Sequence, residues 1–196
     1  RAIQYADVVV LMIDATTIGE HGAGIEKQDL TIAREVEVEG RALVVAVNKW
    51  DLIEDRAQVR AAVEESLNDS LSQLRGVPIV FVSALEGTYL DRLLDKVLDV
   101  EARWSRRVST SPLNRWLAEA VEAHTPPLVN GRYIKLRYMT QIKSRPPSFV
   151  IFASRPDALP DSYVRYLSNG LRQAFEFDGV PLRLSLRKGK NPYAGR

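Results

Sequence analysis

The chain has 196 residues, 45% hydrophobic and 27% charged, with no cysteine. This is the composition of an ordinary globular protein of one large or two small domains. It excludes disulfides, thiolate nucleophiles and thiolate metal sites, and fits a reducing compartment. The net charge of +2 hides a split: residues 1 to 107 hold 13 Lys and Arg against 19 Asp and Glu, a balance of −6, and residues 108 to 196 hold 14 against 6, a balance of +8. A split of that kind predicts two domains, the basic one suited to a polyanionic partner.

The first long apolar run, Val8 to Ile13, is continuous rather than alternating and ends at Asp14. That pattern predicts a strand covered on both faces, as in a parallel sheet. It opens close to Arg1 with nothing before it to cover its edge, so the domain is expected to start upstream of the sequence in hand. The loop Ala15 to Gly24 holds three glycines and His21. Gly19 to Gly24 has the glycine spacing of a phosphate-binding loop, but Ile25-Glu26 follows where Lys-Ser/Thr is required. It is read as a loop and nothing more.

Lys27 to Val38 carries Leu30, Ile32, Ala33 and Val36 at helical spacing and stops before Gly40. Ala42 to Val47 is a second buried strand, and neither it nor the first run is long enough to cross a bilayer. No signal-peptide pattern opens the chain. No membrane partner is therefore expected, and the cytoplasm is the expected location.

Directly after the second strand stands Asn48-Lys49-Trp50-Asp51, at the edge where an open sheet places its ligand. Two readings fit these four residues alone. Asp51 caps a helix, or its carboxylate accepts from the adjacent N–H and NH2 of guanine, a pair adenine lacks. Arg56 to Leu74 then reads as a second helix, with Val59, Ala62, Val63, Leu67, Leu71 and Leu74 on one stripe. Pro78 to Val82 is a third buried strand, and Leu90, Leu93, Leu94, Val97 and Leu98 mark a third helix running to about Trp104. Strands near positions 8, 42 and 78 recur at the length of a βαβ unit.

The third strand ends in Ser83-Ala84-Leu85, on the same sheet edge as Asn48 to Asp51 and 35 residues further on. A tripeptide of this kind is weak evidence alone; the pair is specific. Together they resemble translational GTPase-like G domains, whose NKxD and SAx motifs bind guanine. The resemblance implies that Asn48 shapes the loop and contacts the base edge, and that the Lys49 stem lies over the base. It also implies that Asp51 reads the N1 and N2 hydrogens and that the Ala84 N–H reaches O6. Ser83 braces the loop, and Trp50 is read as packing. Asn48, Lys49, Asp51, Ser83, Ala84 and Leu85 are thus the nucleotide-binding candidates. GTP or GDP is the implied ligand, of which this chain holds the guanine-reading half. Mg2+ is expected in the full-length protein, with no ligand to it here. No P-loop and no D-x-x-G segment is present in the sequence, so no catalytic or metal-binding residue is assigned.

After a polar linker at 105 to 110, Ser111-Pro112 reads as a helix start, followed by Leu113, Trp116, Leu117, Ala120 and Val121 on one face. His124 ends this helix, where the dipole favours it. Tyr133 to Met139 alternates, with Ile134, Leu136 and Tyr138 on one side and Lys135 and Arg137 on the other. The basic segment Gln141 to Ser148 is expected to connect it to a strand at Phe149 to Ala153. Asp161 is expected to cap a helix bearing Val164, Leu167, Leu171 and Phe175, and Leu182 to Leu186 to form the last strand. The order α-β-β-α-β predicts helices on one face of a sheet and a basic outer face.

That order resembles a KH-like domain, although the backbone-clamping GXXG loop of RNA-binding KH domains is absent. The tail Arg187-Lys188-Gly189-Lys190-Asn191-Pro192-Tyr193 is a candidate for phosphate contacts, with a solvated terminus as the equal alternative. The expected fold class is therefore α/β: an incomplete P-loop-type G domain with a parallel sheet over 1 to 107, then an α+β KH-like domain over 108 to 196.

A G domain followed directly by a KH-like domain without GXXG resembles the C-terminal part of the Der (EngA) family, bacterial GTPases with two G domains and a KH-like domain. Glu26 to Leu30, Asn48 to Leu52, Ser83 to Gly87, Arg145-Pro146-Pro147 and Lys190 to Tyr193 carry the likeness. The resemblance implies a GTP hydrolase acting in assembly of the large ribosomal subunit. Its expected partners are that subunit with its RNA and the upstream G domains of the same protein. The alternative class is a non-enzymatic RNA- or ribosome-binding scaffold with a relic G domain.

Overall fold

The computed structural model describes residues 3–18, 24–71, 74–129 and 131–189. Residues 19–23 of the glycine loop, His21 among them, and the tail from Lys190 lie outside the described residues. The chain divides into two compact units, one of Arg1–Ser105 with Asp178–Pro181, the other of Arg106–Phe177 with Leu182–Arg196.

In the first unit, strands β1 (Val8–Asp14), β2 (Ala42–Asn48) and β3 (Ile79–Phe81) form a parallel sheet in the order β1-β2-β3. Helices α1 (Lys27–Glu39), α2 (Arg56–Ser70) and α3 (Leu90–Ser105) complete it. The unbroken apolar run of β2 reflects its place in the middle. Leu43, Val45 and Val47 face the core made with Ala33 and Val36 of α1 and Val59, Val63 and Leu67 of α2. Ala42, Val44 and Ala46 face the opposite side, against Val100 and Trp104 of α3 and Val180. This is the expected α/β class. Gly40 ends α1 in the left-handed region (φ 73°), and its carbonyl accepts from the buried Trp104 indole at 2.9 Å.

Two details differ from the sequence reading. Helix α2 stops at Ser70 rather than Leu74. The apolar stripe outlasts the helix because Leu71 and Leu74 both stay in the core after the backbone has left helical geometry. On α3, Leu94 and Leu98 are exposed, and the buried line runs through Val100 and Trp104, with Leu93 and Val97 packed beside it.

The four residues Asp178–Pro181 belong with this first unit, although they are remote in sequence from the rest of it. The Gly179 N–H donates to the Arg75 carbonyl at 2.9 Å, the Arg103 guanidinium to the Asp178 carbonyl at 3.3 Å, and Val180 is wholly buried.

The second unit runs α4 (Thr110–Ala123), β4 (Leu136–Ser144), β5 (Pro147–Ala153), α5 (Asp161–Ala174), β6 (Arg183–Lys188). Its sheet has β5 in the middle, antiparallel to β4 and parallel to β6, which is the expected α-β-β-α-β order. Leu113 and Leu117 of α4 and Tyr163, Leu167 and Leu171 of α5 pack on Met139, Phe149 and Ile151. Helix α4 begins one residue before Ser111, with Ser109 at its N-cap, and Pro112 falls in the first turn, where a missing N–H costs nothing. Asp161 is the first residue of α5, not its cap, and still favours the positive helix end.

Strand β4 starts at Leu136, later than the alternation suggested, and continues through Ser144, so the supposed connection is itself strand and only Arg145-Pro146 turns. A register shift between Leu136 and Tyr138 flips the alternation. Tyr138 is therefore 42% exposed while Met139 is buried. Gln141 is also buried: its amide donates to the Arg106 carbonyl at 2.9 Å and its oxygen accepts from the Val108 N–H at 2.7 Å. The outer face is only partly basic, since Tyr138 and Phe152 stand on it as a ring pair 5.7 Å apart.

Candidate functional site

The candidate residues sit where β2 and β3 end on the same edge of the sheet. Lys49 leaves β2 in the left-handed conformation (φ 62°, ψ 34°), and Trp50–Leu52 form a single 3₁₀ turn. A non-glycine residue in that region costs about 1 kcal/mol or more and persists where its surroundings fix it. They do so here. The Trp50 N–H donates to the Val82 carbonyl at 3.1 Å, and its ring, 6% exposed, packs on Phe81 with centroids 4.3 Å apart. Trp50 is thus packing, and it anchors the polar residues on either side.

The second loop is closed on itself. Ser83, 2% exposed, pairs its backbone with Thr88 in both directions at 3.2 and 3.0 Å, and its hydroxyl accepts from the Glu86 N–H at 3.2 Å. Gly87 (φ 70°) makes the return. Beyond the Trp50–Val82 bond, the Ala84 N–H donates to Asn48 Oδ1 at 2.9 Å and ties the two loops together. This differs from the role inferred for Ala84, whose N–H was to be free for a base carbonyl. The Leu85 N–H, next in the loop, has no partner among the described residues, and the Leu85 side chain is 91% exposed.

Asp51 lines a small hollow of about 80 Å³ together with Trp50, Arg56, Ser83, Glu86, Thr88 and Tyr89. Its Oδ1 is buried and has no hydrogen-bond partner among the described residues. A buried carboxylate oxygen without a donor costs free energy. A ligand with paired N–H groups would satisfy such an acceptor, so the residues present fit a guanine base.

Asp14 escaped the sequence reading. The parallel register sets it opposite Asn48, and its carboxylate meets the Lys49 ammonium at 2.5 Å. The other oxygen accepts from the Thr16 N–H at 2.9 Å and hydroxyl at 2.7 Å. The Lys49 ammonium and then the Thr16 hydroxyl hold the Asp14 carboxyl down at about 2. An Asp ending the neighbouring strand was the available signal; the register that makes it matter is a tertiary fact. Among the described residues no group of three or more His, Cys, Asp or Glu could hold a metal ion. No helix among them is long and apolar enough to cross a membrane.

A parallel sheet with two such loops at its carboxyl edge, joined to an α-β-β-α-β unit, defines a G-domain fragment followed by a KH-like domain. Two family models agree with this. The elongation factor Tu GTP binding domain matches residues 1–102, and the KH-domain-like family of EngA bacterial GTPase enzymes, C-terminal, matches residues 107–187. Among curated proteins, GTPase Der of Brucella anthropi is 52% identical over 196 residues, covering 100% of this chain and 39% of its own length. GTPase Der of Rhodopseudomonas palustris is 51% identical over 194 residues, 99% of this chain and 41% of its own. The chain belongs to the Der (EngA) family of GTPases and spans about two-fifths of the length of these relatives. A crystal structure of Aquifex aeolicus Era bound to GDP.AlF4- aligns over 94% of this chain and 66% of its own at 20% identity. The TM-score is 0.42.

Proposed function

We propose that residues 1–107 are the guanine-reading part of a G domain and that residues 108–196 are its KH-like partner in a cytoplasmic GTP hydrolase. The observation that carries the base assignment is the buried, partnerless Asp51 Oδ1 beside the loop pair closed by Asn48 and Ala84. Guanine N1–H and N2–H2 would satisfy Asp51. Lys49, tethered at both ends of its side chain by β2 and Asp14, would lay its stem across the ring. With the Ala84 N–H engaged, the Leu85 N–H is the better placed donor for O6, while Asn48 and Ser83 hold the loops in register. Upstream parts of the same protein would supply the phosphate-binding loop, Mg2+ and the attacking water. The exposed outer side of β1, with Met12 51% exposed, and Leu94 and Leu98 on α3 suit such a neighbour.

The basic half, with its net +8, suits rRNA, and with the family assignment this supports a role in assembly of the large ribosomal subunit. The test uses the full-length protein that carries this chain. Titration with labelled GDP and ADP should show GDP preferred by at least about 100-fold, and gradient sedimentation at low salt should bring the protein down with large subunits. Equal affinity for the two nucleotides would sink the base reading. Failure of both arms would leave a scaffold with a relic G domain.

A further inference from the structure

The half of the chain that carries the guanine loops is acidic as a whole, yet it holds a cleft lined only by cations and apolar or aromatic groups. This cleft, about 260 Å³, runs along the outer edge of β3 between α2 and α3. Its cations are Arg60, Arg92 and Lys96 and its rings are Trp50, Phe81 and Tyr89; no carboxylate lines it. The Arg60 guanidinium lies 4.2 Å from the Phe81 centroid and 5.9 Å from that of Trp50, and Arg92 lies 4.7 Å from Tyr89. Neither arginine forms an ion pair among the described residues, and Lys96 meets only Asp99, at 3.8 Å.

Three cations gathered from two helices repel one another, and ring contacts hold their side chains in place without neutralising them. An anion would neutralise them. A guanidinium over a ring keeps N–H donors for an anion, and a pair of them can take phosphate oxygens together. Tyr89 is 44% exposed and offers a face on which a base can stack. The volume is below the ~300–1,000 Å³ of a pocket for a whole drug-sized ligand, so the cleft suits one or two units of a longer strand. An acidic peptide pairing with the sheet edge fits less well, because β3 offers only three residues to pair with.

We propose that this cleft binds a single-stranded RNA segment, phosphates on Arg60, Arg92 and Lys96 and a base on Tyr89. Trp50 and Tyr89 line both this cleft and the hollow that holds Asp51. RNA here therefore touches the residue between Lys49 and Asp51 and couples to nucleotide binding. The coupling, unlike the RNA site itself, rests on the guanine reading proposed above.

The experiment measures binding of a fluorescein-labelled 12-nucleotide single-stranded RNA to the full-length protein across a salt series. Arg92→Glu/Lys96→Glu should weaken binding at least about tenfold at low salt and flatten the log–log salt slope by about 1.4, two contacts at ~0.7 each. Tyr89→Ala should weaken it about tenfold with the slope unchanged. Arg187→Glu/Lys188→Glu, on the other unit, serves as comparison. If that pair alone removes binding and the cleft variants do nothing, the proposal is wrong; it is equally wrong if a glutamate-rich peptide of matched charge competes as well as RNA. Should the Glu pair fail to fold by circular dichroism, Arg92→Gln/Lys96→Gln replaces it with the same slope criterion. Saturating RNA should change GDP affinity by the same factor by which GDP changes RNA affinity. A protein that binds no guanine nucleotide but loses RNA in the cleft variants would overturn the guanine reading and leave the cleft standing.

Discussion

Asp14→Asn isolates the contact that the parallel register creates. Asn retains an oxygen for the two Thr16 bonds, so what is lost is the charge facing Lys49. The drop of the Asp14 carboxyl from 3.8 to about 2, due to Lys49 first and Thr16 second, would correspond to about 2.4 kcal/mol at 1.36 kcal/mol per unit, of which Asn removes only the Lys49 share. The pair is not deeply buried, however: the Lys49 side chain is 50% exposed and that of Asp14 34%. Solvent screening brings the expected loss to about 1 kcal/mol, or about 2–4 °C in Tm for a chain of this size. Because the folded carboxyl titrates below its unfolded value, this stabilisation is complete above about pH 4 and disappears as pH falls towards 2. Urea midpoints of wild type and variant should thus differ by a constant amount from pH 5 to 8 and draw together only as pH falls from about 4 to 2, with roughly half of the gap left at pH 3. Equal midpoints at pH 7, or a gap that does not narrow in acid, would refute the reasoning. Nucleotide affinity should fall several-fold for every base alike, since the Lys49 stem does not distinguish them.

Other predictions follow from single contacts. A Cβ on Gly179 (φ 72°) would lie 2.6 Å from Pro78 Cδ and 3.2 Å from the Gly76 carbonyl oxygen, so Gly179→Ala should cost at least about 2 kcal/mol in chemical unfolding. Asn114 accepts from the Met139 N–H at 2.8 Å and donates to its carbonyl at 2.9 Å, clipping α4 to β4; Asn114→Ala should cost about 2 kcal/mol, and a loss under 0.5 would count against the clip. Asn48→Ala removes the bond between the two loops and should cost about 1 kcal/mol of stability but more than tenfold in GDP affinity, measured by titration of the full-length protein.

The parts of this fold that were legible in the sequence are those set by local pattern. The unbroken run Ala42 to Val47 announced a strand buried on both faces, and Asn48 to Asp51 and Ser83 to Leu85 announced loops on one edge. What escaped depends on register. Asp14 matters because it stands opposite Asn48, and no spacing in the chain reveals that pairing. The shift between Leu136 and Tyr138 moved the buried face of β4 to Met139, which strict alternation over Tyr133 to Met139 could not foresee. Arg60, Arg92 and Lys96 lie scattered through an acidic half of the sequence, and only the packing of α2 and α3 beside β3 makes them neighbours. The Asp178–Pro181 segment was hidden for the same reason: its partners Arg75 and Arg103 are remote in the chain.

The central claim is that Asp51 reads guanine. Asp51→Asn exchanges an acceptor for a donor at the buried oxygen, so it should suit a base carrying a carbonyl where guanine carries its amino group. Titration of the full-length Asp51→Asn protein with GDP and XDP tests this directly. The account predicts that one guanine site per protein swings by at least about 100-fold from GDP towards XDP while the other G domain keeps GDP; an undiminished number of GDP sites with no XDP site gained would contradict it.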